Sequence, residues 1–104
     1  MTARREMDKH AELEFVVSGK KVRLKEKLSL KTAPRLPAML EEAAKDLRAV
    51  ARIGVLLVEE WDFDGPPSDP RSWEELDITT EILPLAVRIG EYVNRRLDYA
   101  GGKV

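Results

Sequence analysis

The sequence predicts an α+β fold: an N-terminal β-hairpin packed on two to four α-helices, in one domain over residues 11–100. Two observations carry that reading. Apolar residues alternate on either side of Ser18-Gly19, the period of an antiparallel pair. Further on, apolar residues recur at spacings of three and four, the period of amphipathic helices. The ends, residues 1–10 and 101–104, are polar or glycine-rich and are expected to be flexible.

The hairpin comes first. Glu14-Phe15-Val16-Val17 and Lys20-Lys21-Val22-Arg23-Leu24 flank a two-residue turn at Ser18-Gly19. That turn pairs Val17 with Lys20, Phe15 with Val22 and Leu13 with Leu24, which places the apolar members on one face. Val16 is the exception on the polar face. Gly19 suits the positive φ of a hairpin turn. Two strands alone are marginal, so the hairpin requires something to pack on.

A connector, Leu28 to Arg35, leads to Pro37, a residue that fits the first turn of a helix. Leu36, Leu40, Ala43, Leu47, Val50, Gly54, Leu57 and Trp61 then form a stripe. It suits one long helix, or two helices broken near Asp46 or Gly54. Ile53 to Val58 is apolar on every side, which also leaves a short buried strand open there. Asp62 to Pro70 reads as a loop, because Gly65, Pro66, Pro67 and Pro70 interrupt any regular element. Ser72-Trp73-Glu74-Glu75 has the spacing of a capping box and predicts a helical turn from Trp73. Ile82, Ala86, Ile89, Val93 and Leu97 line a last helix over Ile78 to Tyr99. Thr80 is a candidate cap; a start at Ile78 would instead make Pro84 kink the helix.

Composition narrows the function. The chain has 104 residues, 18 basic and 19 acidic, for a net charge of -1. That balance argues against a dedicated nucleic-acid partner, which needs a basic excess against phosphate. With no cysteine, thiolate metal sites, disulfides and cysteine nucleophiles are excluded. No stretch approaches the roughly 18 to 20 apolar residues of a membrane span. Met1 to His10 is charged, with no apolar segment behind it, so no secretory signal is expected.

Chemistry-bearing patterns are absent or incomplete. His10 is the single histidine and falls in the polar N-terminus, where no rigid triad is expected. Glu59, Glu60, Asp62, Asp64 and Asp69 form an acidic cluster, and Asp62-Phe63-Asp64 resembles the start of a calcium loop. Pro66, Pro67 and Trp73 then stand where an oxygen ligand, a glycine and a glutamate belong. Gly19-Lys20 lacks the rest of a phosphate loop. Lys45, Arg48 and Arg52 share a face, with Glu41, Glu42 and Asp46 placed for pairing within the helix. No catalytic residue, cofactor or metal site is expected. The surplus apolar surface points instead to contacts with protein, through Ile53, Leu56, Leu57, Val58, Trp61 and Trp73; tryptophan is enriched at interface hot spots. Core packing is the competing role for each.

The order of these segments carries a resemblance. A short hairpin precedes a helical stripe that runs into Val58-Glu59-Glu60-Trp61-Asp62-Phe63. A Gly/Pro loop, Ser72-Trp73-Glu74-Glu75-Leu76 and an amphipathic helix with Leu83-Pro84 near its start then follow. From Leu13 to Leu97 this resembles the small tail assembly chaperones of long-tailed bacteriophages. The closing Gly101-Gly102-Lys103-Val104 is similar to the Gly-Lys that some of these chaperones encode near a ribosomal slippery site. The resemblance implies a non-enzymatic protein of the host cytoplasm that binds the tape-measure protein, recruits tail-tube protein, and self-associates. A small structural virion component and a bacterial adaptor or regulatory domain are the alternatives.

Overall fold

The computed structural model describes residues 13–97. The expected flexible ends, together with His10 and the closing Gly-Lys, lie outside them. The fold is α+β: among the described residues a three-stranded antiparallel sheet, ordered β1-β2-β3, with four α-helices.

Strands β1 (Glu14–Val17) and β2 (Lys20–Leu24) form the hairpin, with Phe15 opposite Val22 and Val17 opposite Lys20. Ser18 and Gly19 take φ of 51° and 77°, the paired positive values of a type I′ turn, whose twist matches the strands it joins. Phe15, Val17, Val22 and Leu24 are buried on one face, while Val16 is 61% exposed on the other. Leu13 is buried as well, but it stands outside the strand, and the β1–β2 register ends at Glu14↔Arg23, short of the expected pairing of Leu13 with Leu24.

The third strand, β3 (Val58–Trp61), takes the end of the expected helical stripe. It pairs with β2 as Val22↔Trp61, Arg23↔Glu60 and Leu24↔Val58, which leaves Glu59 as the extra residue of a β-bulge. The segment needs that bulge. Side chains alternate between faces along a regular strand, so the two adjacent glutamates would drive either Val58 or Trp61 out of the core. The bulge turns both glutamates outward and keeps Val58 buried, 2% exposed.

Between the hairpin and β3 lie α1 (Leu36–Lys45) and α2 (Arg48–Leu57). A short 3₁₀ turn, Ala33–Arg35, enters α1, and Pro37 sits in its first turn. The break falls at Asp46, which is extended (φ -140°, ψ 115°). Its carboxylate accepts from the Arg48 N–H at 2.9 Å, so the same residue that stops one helix starts the next. The break redirects the charges too. Arg52 reaches back to Glu42 across the two helices at 3.5 Å, and Arg48 pairs with Asp46 at 3.2 Å, in place of the expected pairing within one helix.

The loop after β3 ends sooner than the proline count suggests. Helix α3 (Pro70–Glu74) begins at Pro70, capped by Asp69, whose carboxylate accepts from the Arg71 N–H at 3.0 Å. Ser72 is therefore inside the helix rather than at its cap. Pro70 fits because the first helical residue has no carbonyl for its N–H to meet. Last come a π-helical turn, Ile78–Ile82, and α4 (Leu83–Leu97). Asp77 caps the π turn by accepting from the Thr80 N–H and hydroxyl, both at 2.9 Å, while Glu81 accepts from the Asp77 N–H at 2.7 Å. Thr80 is thus the capped residue and Asp77 the cap.

Pro84 has no N–H to offer the Thr80 carbonyl one turn earlier. That carbonyl accepts from the Ser18 hydroxyl at 2.7 Å, which pins the hairpin tip to the start of the last helix. Further along α4, the Tyr92 hydroxyl donates to the Lys25 carbonyl at 2.6 Å, Arg96 donates to the Glu26 carbonyl at 2.8 Å, and Arg88 stacks over the Phe15 ring. Leu85, Ile89 and Val93 complete a core with Leu36, Val50, Ile53, Leu57 and the sheet's inner face. Among the described residues the buried side chains are apolar or aromatic, and the polar atoms of buried Trp73 and Tyr92 are hydrogen-bonded.

Candidate partner-binding groove

Helix α2 is apolar on two sides. Ala49, Val50, Ile53 and Leu57 face the core and are almost wholly buried. A second row, Ala51 and Val55 with Leu47 one turn ahead, lies at the margin of the core: Ala51 and Val55 pack against it only in part and Leu47 is exposed, and such a row needs a cover of its own. Segment 70–82 supplies part of one. Between the two lies an apolar groove of about 610 Å³, partly open to solvent. Met39, Leu47, Ala51, Val55 and Leu56 line it from α1 and α2, and Trp73, Leu76, Ile78 and Ile82 line it from the other side. Its volume lies in the range of about 300 to 1,000 Å³ usual for binding sites. Leu47 and Ile78 stand at its edges, 40% and 55% exposed.

The floor is rigid. Trp73 is 2% exposed and its indole N–H donates to the Pro67 carbonyl at 2.9 Å. Gly54 lies flat against the ring; a Cβ there would overlap three ring carbons. Trp61 packs on Trp73 with ring centroids 4.8 Å apart and on Phe63 edge-to-face at 5.2 Å, and its own N–H donates to the Gly65 carbonyl at 2.7 Å. The Gly/Pro loop thereby satisfies both indoles, and its shape is set by them.

The residues singled out in the sequence divide. Ile53, Leu57 and Val58 are core, between 0% and 2% exposed, and have no surface to offer a partner. Trp73 is buried as well and reaches the groove only as its floor. Leu56 is half-buried and lines the groove, whereas Trp61 is half-buried in the aromatic cluster behind it. Arg35, Met39, Leu47, Ala51, Val55 and Ile78 were not singled out. The spacing of Leu47, Ala51 and Val55, four residues apart, was the available signal.

Basic side chains line one wall: Arg35 ahead of α1, then Arg48 and Arg52 one turn apart on α2; Glu74 lines the groove from α3. Elsewhere, three of the five carboxylates of the acidic segment serve the fold: Glu60 pairs with Arg23, Asp62 accepts from the Lys21 N–H, and Asp69 caps α3. Among the described residues no group of three or more histidine or acidic side chains is placed to hold a metal ion. No helix of those residues is long and apolar enough to cross a membrane. No protein-family model, no curated protein and no solved structure matches the chain, so its function has to be read from the groove and the residues around it.

Proposed function

We propose that the protein is a non-enzymatic assembly chaperone of the phage-tail kind. It holds an apolar helical stretch of the tape-measure protein and brings tail-tube subunits to it in the host cytoplasm. The open groove between α2 and segment 70–82, lined by Met39, Leu47, Ala51, Val55, Leu56 and Ile78, is the observation that supports this reading. A tape-measure protein is long, helical and apolar, and its surface requires masking until the tube forms. A groove walled by helices accepts one face of such a helix through residues spaced three and four apart. The order of segments that resembles the chaperone family supplies the biological setting.

Co-expression with a tape-measure fragment tests it. The wild-type chain is expected to keep the fragment soluble and to co-purify with it. Leu47→Glu, which puts a charge on the exposed edge of the groove, is expected to fold normally by circular dichroism and to lose the fragment. A wild-type chain that leaves the fragment insoluble, or a Leu47→Glu chain that retains it, ends the proposal. Mass spectrometry of mature particles separates an assembly factor, absent there, from a structural component present in stoichiometric amount.

A further inference from the structure

The charges around the groove describe its occupant more closely, provided that the groove is the binding site proposed above. Arg35 has no ion-pair partner among the described residues. Arg48 and Arg52 do have partners, Asp46 and Glu42, but their side chains are 86% and 63% exposed. The single-contact Arg52–Glu42 pair is of a kind that contributes little and exchanges readily, whereas Arg48 grips both oxygens of Asp46, at 3.3 and 3.2 Å, and offers a partner only its remaining donors. Each guanidinium carries five N–H donors, more than its one carboxylate uses. Arg48 and Arg52 stand one helical turn apart, about 5.4 Å along the axis. The opposite wall carries a single groove-lining carboxylate, Glu74.

We infer that the groove takes an amphipathic helix with aspartate or glutamate along one flank of its apolar stripe, the acidic flank lying against Arg35, Arg48 and Arg52. Carboxylates one turn apart on that helix match the spacing of Arg48 and Arg52. The other flank, facing Glu74, is neutral or basic, which fixes the direction in which the helix lies. A helix with lysine on the first flank would bring like charges together, a cost that opposes the wrong partner. This chain's own exposed apolar pair, Leu83 and Val87 on α4, is a poor occupant. The ion pair beside it, Arg88 with Glu91, offers no acidic flank.

The test uses the full chain and three labelled peptides of about 16 residues, some four helical turns. All share one leucine stripe, and one flank carries glutamate, glutamine or lysine. Fluorescence anisotropy is expected to rank them in that order, with glutamate about tenfold or more tighter than lysine at low salt and the gap closing in about 0.5 M salt. Arg35→Glu combined with Arg52→Glu, both at exposed positions, is expected to reverse the ranking with the fold retained by circular dichroism. Equal binding of all three peptides overturns the charge inference and leaves the groove as a binding site. So does retention of the tape-measure fragment when no peptide binds. Failure of both peptides and fragment removes the functional proposal itself. A concentration-dependent dimer in sedimentation that Leu47→Glu abolishes identifies a second copy as the occupant and overturns the inference.

Discussion

Gly54 and Trp73 form the tightest approach among the described glycines, and the contact sets how close α2 comes to α3. The indole lies where any side chain at residue 54 would begin, and its N–H is committed to the Pro67 carbonyl, so it cannot turn aside without leaving a buried donor unpaired. Gly54→Ala would ordinarily favour a helix by about 1 kcal/mol. Here it is expected to destabilise the protein by about 1 to 3 kcal/mol, the cost of overpacking, in urea unfolding followed by tryptophan fluorescence. A neutral or stabilising result would mean that the ring has room to move.

At the scale of elements, three aspartates start three helical segments: Asp46 for α2, Asp69 for α3 and Asp77 for the π turn leading to α4. Each carboxyl is held below its ordinary pKa. For Asp46 and Asp69 the largest cause is the side-chain hydrogen bond from Arg48 or Arg71, and for Asp77 it is the backbone N–H of Thr80. A depressed folded-state pKa means that the unfolded chain binds protons first as pH falls. The stabilisation is therefore complete above the ordinary aspartate value of about 3.9 and is lost as pH drops through the lower folded values. Thermal midpoints measured from pH 6 to pH 2 are expected to fall mainly below about pH 4. Replacing all three with asparagine, which still caps but carries no charge, is expected to flatten that fall; an unchanged slope would place the acid sensitivity elsewhere.

These caps also explain how far the elements were legible. The hairpin register and the last helix's stripe followed from local periodicity. Asp46 sat within a stripe whose spacing continues unbroken through it, so the break showed only as one of several options. Val58-Glu59-Glu60-Trp61 continues the same stripe, because a four-residue step from Leu57 to Trp61 is a helical spacing as well. Its pairing with β2 is a long-range contact that local periodicity does not report. Asp69-Pro70 is masked by its neighbours: a proline close behind Gly65, Pro66 and Pro67 reads as more loop, although proline belongs at a helix start.

Across the whole molecule, one core joins the sheet's inner face to α4 and to the inner side of α2, and the groove is what α2's other side leaves over. That division accounts for the candidate residues that proved to be core. Ile53, Leu57 and Val58 lie in the most apolar run of the chain, and high apolarity marks the interior as readily as an interface. The groove residues Ala51, Val55 and Leu47 are individually unremarkable and acquire a role only once segment 70–82 comes to lie opposite. Loss of the groove's apolar lining should therefore separate from loss of the fold. Leu47→Glu is expected to shift the urea midpoint little, whereas Val93→Ala in the core is expected to cost about 1 to 3 kcal/mol. Comparable losses from both would mean that the groove wall is part of the folding core.

The bulge at Glu59 bears on a different hazard. Strand β3 is an outer strand of the sheet, and an outer strand with a straight, apolar rim is a template on which further chains can grow. The kink interrupts that template, and two neighbouring carboxylates repel an incoming copy of themselves. Deleting Glu59 would straighten the strand and push Val58 or Trp61 into water. Such a chain is expected to form thioflavin-positive fibrils under conditions where the parent stays clear, and a deletion variant that stays clear would show that the fold is protected from fibre growth by other means.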